Sequence, residues 1–178
     1  MAHFQAVSFD LDGTLWKHTE CNNHVLGILL PRLMSYLPED DRSVVISHLN
    51  AVFLDLVREY GLTDSHTYSR VERFDRLLRA YGVTDHSVAQ QLSSHFTATR
   101  RLSMRQFLRR RADKIIEKLR NAGLSVGIIT DGSPASQRQT IRALGLEPLM
   151  DYVVISGVEG YEKRSEEHTS ELQSPSAI

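Results

Sequence analysis

Asp10 and Asp12 stand two residues apart, directly after the apolar run Ala6-Val7-Ser8-Phe9. A buried strand ending on two carboxylates places acid at the sheet edge where open α/β proteins bind ligands. If the strand stays extended there, both side chains project to the same side. Carboxylates that close repel, so one pKa rises unless a cation intervenes. One can then act as an ionised nucleophile while the other carries a proton. Gly13 permits a positive φ, and Thr14 adds a hydroxyl. The plainer alternative is a polar strand exit, because Asp-Gly is a common turn. A calcium loop also begins Asp-x-Asp-Gly, but Leu15 and Trp16 stand where its later oxygen ligands belong.

Thr130-Asp131-Gly132 also follows a strand-like run and precedes a helix signal, Ser133-Pro134. A hydroxyl and a backbone N–H near a helix N-terminus make a natural anion site, although a plain capped turn has the same sequence. Lys163 follows a third apolar run by a short loop, Gly157 to Glu162. A lone lysine is ordinarily a surface residue. Carboxylates, a hydroxyl and an ammonium at three strand ends of one sheet form a more specific combination.

The elements that must position these groups can be read from periodicity. Ala6–Phe9, Leu124–Thr130 and Tyr152–Ile155 are strand-length apolar runs, the second rich in β-branched residues. The spacing of Ala112, Ile115, Ile116 and Leu119 predicts a helix ended by Gly123, and Ile141 and Leu144 lead to Gly145. Strand, helix, strand, helix, strand with short links is the pattern of a parallel sheet. Between the first strand and this series, residues 24 to about 104 show only helical spacing. The stretch from His24 to Leu37 contains Pro31 and is expected to be kinked or split. Val45 to Leu56 stops at Gly61, Val71 to Tyr81 stops at Gly82, and Val88, Leu92 and Phe96 form a weaker stripe.

The chain has 178 residues, 41% of them hydrophobic and 24% charged, with a formal charge of −1. That composition supports a packed core and argues against a broad basic surface for nucleic acid. Cys21 is the single cysteine, which excludes an internal disulfide and points to a reducing, cytoplasmic compartment. The longest apolar run, Val25 to Leu30, is too short for a membrane span, and the N-terminus carries no signal-peptide pattern.

Taken together, Phe9-Asp10-Leu11-Asp12-Gly13-Thr14-Leu15, Ile128-Ile129-Thr130-Asp131-Gly132 and Gly160-Tyr161-Glu162-Lys163 resemble the first three motifs of the haloacid dehalogenase superfamily. The resemblance implies an α/β fold: a Rossmann-like parallel sheet core, here C-terminally truncated, with an inserted all-helical cap domain. The implied divisions are 1–16 and 105–163 for the core, 17–104 for the cap, and 164–178 for a tail. The resemblance also implies a mechanism. Asp10 attacks phosphorus to form an aspartyl-phosphate, while Asp12 protonates the leaving oxygen and then activates water. Thr130 and the Asp131 N–H hold phosphoryl oxygens, and Lys163 neutralises charge. Magnesium sits between the Asp10 carboxylate, the Asp12 carbonyl and the substrate phosphate. A phosphate dianion approaching two carboxylates is repelled by several kcal/mol at an effective dielectric of about 20. A divalent cation and Lys163 can reverse that sign. Dehalogenase members lack the second aspartate, so Asp12 favours a phosphate ester. The expected activity is magnesium-dependent hydrolysis of a small phosphorylated metabolite, a sugar phosphate or nucleotide, with no nucleic-acid or membrane partner. A phosphomutase would also keep both aspartates. A phospho-acceptor signalling domain would carry its aspartate on a central strand without a helical insert.

The family continues after its third-motif lysine to a further acidic motif that completes the magnesium site. Here the chain passes into Arg164-Ser165-Glu166-Glu167 and onward, and Arg164 to Ser174 resembles the translation of a common sequencing adapter. The expectation is an artefactual or disordered tail, with a parent enzyme whose activity is impaired or lost in this chain. Removing the tail's one arginine and three glutamates leaves the charge near neutral. His18, His24, His48, His66, His86 and His95 lack metal-ligand spacing. Trp16-Lys17-His18 could meet substrate at the first hinge. Arg100, Arg101, Arg105, Arg109, Arg110 and Arg111 form a solvated helix face or, on the sharper reading, a contact for a phosphorylated substrate or RNA.

Overall fold

The computed structural model describes residues 5–38, 42–61, 66 and 69–159. Its strands are β1 (Ala6–Phe9), β2 (Ser125–Thr130) and β3 (Tyr152–Ile155), all parallel, with β2 in the middle. Phe9 lies opposite Ile128, and Thr130 opposite Ile155. The central strand explains its own composition: Val126, Gly127, Ile128 and Thr130 are buried, as expected for a strand covered on both faces. Gly127 is required by packing, because a Cβ there would lie 2.2 Å from the Tyr152 ring. The Tyr152 hydroxyl in turn shares a 2.7 Å hydrogen bond with Ser8 Oγ, so one side chain links all three strands.

The helices are α1 (His18–Met34), α2 (Arg42–Tyr60), α3 (Arg70–Ala80), α4 (His86–Ser103), α5 (Ala112–Asn121), α6 (Pro134–Leu144) and the single turn α7 (Ser156–Glu159). Sequence places the start of the first helix near residue 24, but it begins at His18 and runs through Pro31. Only the last turn follows that proline, so the helix continues with little of its ladder removed. The loop expected from Gly157 begins instead within α7. The α6 signals act as their chemistry requires. Ser133 caps the Ser136 N–H at 3.3 Å, Pro134 opens the helix, and Gly145 closes it at φ 69°.

The chain divides into two compact units. One comprises residues up to Cys21 and from Arg101 onward, and the other is Asn22–Arg100. The first packs α5 on β2 and buries Leu11, Trp16, Ile116, Val126, Ile128, Leu144 and Ile155. The helical unit packs α2 on α3 and buries Leu29, Leu33, Leu56, Leu77, Leu78 and Leu92. Each fully buried leucine contributes about 1.5–3 kcal/mol of transfer free energy. No helix among the described residues is long and apolar enough to cross a membrane.

Candidate active site

Strand extension ends at Phe9, so the condition for Asp10 and Asp12 to project together from one strand is not met. The chain turns instead. Leu15 N–H donates to the Leu11 carbonyl, Gly13 N–H donates to the Trp16 carbonyl, and Gly13 takes φ 82°. A positive φ suits only glycine without strain, which accounts for Gly13 after the second aspartate. Leu11 is fully buried and anchors the turn.

This turn gives the two aspartates different partners. Thr14 Oγ1 donates to Asp10 Oδ2 at 2.9 Å. Both oxygens of Asp12 are held: Trp16 Nε1 donates to Oδ1 at 2.7 Å, and Gln137 Nε2 to Oδ2 at 3.1 Å. Trp16 has no exposed surface, so this member of the Trp16-Lys17-His18 segment supports Asp12 from within.

At the end of β2, Thr130 is buried, and its hydroxyl reaches the Asp131 carbonyl only at 3.5 Å, a weak contact. That same carbonyl accepts from Gln137 Nε2 at 2.7 Å. Gln137 therefore joins the two strand ends, Asp12 on one side and Asp131 on the other. Both its partners are acceptors, which fixes the amide orientation and leaves Oε1 buried without a partner. The loop after β3 closes against the same turn. Ser156 Oγ accepts the Gly132 N–H at 3.1 Å, and a Cβ on Gly157 would lie 2.6 Å from the Gly132 carbonyl.

Asp10, Asp12, Thr130 and Asp131 are thus all placed at the C-terminal edge of β1 and β2. Lys163 lies outside the described residues, as does residue range 164–178. The sequence reading missed Gln137 and Ser156, and placed Arg109 only within a basic cluster. A signal for Gln137 exists: it occupies the buried stripe 137, 140, 141, 144 of α6, where an apolar residue would serve packing alone. Nothing in the sequence singles Arg109 out from its basic neighbours. Its Nη2 donates to the Gly13 carbonyl at 2.6 Å, and its N–H to the Leu15 carbonyl at 2.9 Å. Arg105 Nη1 caps the Leu144 carbonyl at 2.5 Å, at the negative end of α6. Arg101, Arg105, Arg109, Arg110 and Arg111 of the basic cluster are all exposed, and two of them, Arg105 and Arg109, also bind main-chain carbonyls.

The donors available for a metal are oxygen atoms, the set a hard divalent cation prefers. No group of three or more His, Cys, Asp or Glu residues suited to a metal occurs among the described residues. Magnesium commonly takes one or two carboxylates and completes its shell with water and substrate phosphate. The Asp10 carboxylate and the Asp12 carbonyl fit that limited role. The Asp12 carboxylate is committed to Trp16 and Gln137.

Comparison with known proteins adds a family. A model described as a haloacid dehalogenase-like hydrolase matches residues 4–170. A glyceraldehyde 3-phosphate phosphatase of Pyrococcus abyssi is 28% identical over 165 residues, covering 89% of this chain and 62% of that protein. The chain therefore spans under two thirds of that relative's length. Among solved structures, a 2-haloacid dehalogenase from Pseudomonas syringae pv. tomato matches with TM-score 0.65 and 21% identity, over 96% of this chain and 71% of that one. The HAD-hydrolase YfnB of Bacillus subtilis, solved bound to magnesium, matches with TM-score 0.63 and 20% identity, over 96% and 72%. These two likenesses concern the fold.

Proposed function

The chain belongs to the haloacid dehalogenase-like hydrolases, and from that premise we propose that it is built as a magnesium-dependent phosphomonoester hydrolase. The proposed substrate is a small phosphorylated metabolite, a sugar phosphate or nucleotide. Glyceraldehyde 3-phosphate is the first candidate, by the name of the Pyrococcus relative. The observation that carries the reading is the second aspartate, Asp12, held by two donors beside Asp10 at the strand edge.

An Asp10 carboxylate oxygen attacks phosphorus, and the bond to the ester oxygen breaks. Protonated Asp12 gives its proton to that departing oxygen as the alcohol. Water then attacks the aspartyl-phosphate at phosphorus and passes a proton to the Asp12 carboxylate, releasing inorganic phosphate and restoring Asp10. Thr130 Oγ1 and the Asp131 N–H hold phosphoryl oxygens, and Lys163 balances charge. Magnesium, held by the Asp10 carboxylate and the Asp12 carbonyl, would supply charge neutralisation for the phosphate. Trp16 and Gln137 keep the Asp12 carboxyl aimed through both steps. Asn22–Arg100 acts as the cap that selects substrate.

The test is release of inorganic phosphate from glyceraldehyde 3-phosphate and from p-nitrophenyl phosphate, with and without magnesium, together with acid-quench trapping of phosphorylated Asp10. Magnesium-stimulated release that disappears in Asp10→Asn is expected. Release equal in wild type and Asp10→Asn, with no trapped phosphate, overturns the proposal.

A further inference from the structure

The direction of the Asp10 carboxylate depends on a short chain of contacts. The last torsion of an aspartate is soft, so its oxygens point where hydrogen-bond donors set them. Thr14 Oγ1 is one such donor, 2.9 Å from Asp10 Oδ2. Thr14 is exposed, so packing does little to hold its side chain. It also follows Gly13, the residue type with the greatest backbone freedom, here at φ 82°. A donor mounted on a glycine turn needs its backbone fixed by other means.

Arg109 supplies them. Its Nη2 donates to the Gly13 carbonyl at 2.6 Å, and its backbone N–H donates to the Leu15 carbonyl at 2.9 Å. One residue thus holds the carbonyls of both neighbours of Thr14. The segment around Arg109 is itself seated on this turn. Lys17 N–H donates to the Phe107 carbonyl at 2.8 Å, and Trp16 and Leu108 pair as an antiparallel bridge. Those main-chain contacts are open to any residue at position 109 but proline. Only the side chain reaches Gly13. A hydrogen bond from a guanidinium is charge-assisted and stronger than a neutral one. Arg109 is exposed, so this bond belongs to the turn and not to the core.

We propose that Arg109 is a positioning residue for the nucleophile: by holding the Gly13 carbonyl, its guanidinium keeps the Thr14 hydroxyl on Asp10. The inference rests on the phosphatase reading of Asp10 given above. Attack at phosphorus tolerates little error in the direction of the attacking oxygen, and a displacement of about 1 Å can cost a hundredfold in rate. Arg109 acts through Thr14 and need not touch the phosphate. Its contribution therefore falls on kcat, with KM nearly unchanged.

Two measurements on the whole 178-residue chain test this. Threonine methyl couplings by NMR read the Thr14 rotamer and need no turnover. A single rotamer is expected in wild type and in Arg109→Lys, which keeps a charged donor, and rotamer averaging in Arg109→Ala. Arg109→Gln shortens the side chain and removes the charge, and it decides the same point if Arg109→Ala does not fold. The second readout is magnesium-dependent release of phosphate from p-nitrophenyl phosphate. Arg109→Ala is expected to lower kcat by about twofold to tenfold, the effect of one hydrogen bond, with KM nearly unchanged. In a Thr14→Val background the same substitution is expected to lower kcat no further, because its effect runs through the missing hydroxyl. A Thr14 rotamer unchanged in Arg109→Ala overturns the proposal. So do multiplicative effects of the two substitutions, or a raised KM at constant kcat, which would make Arg109 a substrate contact. If wild type releases no phosphate, the hydrolase reading falls, and the rotamer alone decides whether Arg109 holds Thr14.

Discussion

At the scale of single residues, Asp12 is distinguished by its support. In the proposed reaction it both gives and takes a proton, which needs a fixed direction, and its two oxygens have separate donors. Trp16→Phe removes the indole N–H while keeping most of the buried volume. Loss of a hydrogen bond to a charged group is worth about 1.5–3 kcal/mol, so kcat is expected to fall by about tenfold to a hundredfold, with KM nearly unchanged. Gln137→Leu is expected to act in the same direction and to lower stability by about 1–3 kcal/mol, because Asp12 Oδ2 and the Asp131 carbonyl lose their donor. Steady-state kinetics beside thermal denaturation check both. A large loss of stability with unchanged kcat would make these residues packing elements only.

Close approaches between elements decide how much change they tolerate. At Gly127 a methyl group meets the Tyr152 ring, so Gly127→Ala is expected to cost about 1–3 kcal/mol by overpacking, read as a lower urea midpoint. At Gly157 the obstacle is the Gly132 carbonyl, next to Thr130 and Asp131. Gly157→Ala is therefore expected to lower activity more than stability, because it displaces the turn proposed to bind phosphate. In the helical unit, burial pushes the Asp75 carboxyl up, but hydrogen bonds from His86 and Arg79, with their charges, outweigh it. The net result is a pKa below the ordinary 3.8. A folded pKa below the unfolded one stabilises the protein above 3.8, and that stability is lost as pH falls through the lowered folded value. Helical circular dichroism is expected to decline on acidification below that range, and Asp75→Asn is expected to flatten the profile. Identical acid profiles would show that Asp75 contributes nothing.

For the whole molecule, the sheet-bearing unit is assembled from distant pieces of chain. Ser8 and Tyr152 meet across 144 residues, with the helical unit between them in sequence. A unit closed by such long-range contacts depends on the few apolar groups that its first segment contributes. Leu11 is one of these, fully buried in the turn that carries Asp10 and Asp12. Leu11→Ala is expected to cost about 2–5 kcal/mol, lowering the urea midpoint without changing the slope. A cost well below that range would mean that the turn does not anchor the unit.

The sequence by itself determined what is local. Apolar runs with β-branched residues marked β1, β2 and β3, glycine stops marked helix ends, and the spacing of Asp10, Asp12 and Thr130 marked the sheet edge. These features depend on periodicity, backbone freedom and capping, all of which act within a few residues. The tertiary structure decided which groups meet across the chain. Trp16 turns inward to Asp12, Gln137 reaches it from 125 residues away, and Arg109 closes on Gly13 from 96 residues away. It also decided that Arg70 stacks on Phe96 and Arg73 on Phe53, while Glu72 between them in sequence binds Arg76. A hydrogen bond or a shared charge field depends on distance in space, which sequence spacing does not encode beyond a helical turn or a strand pair.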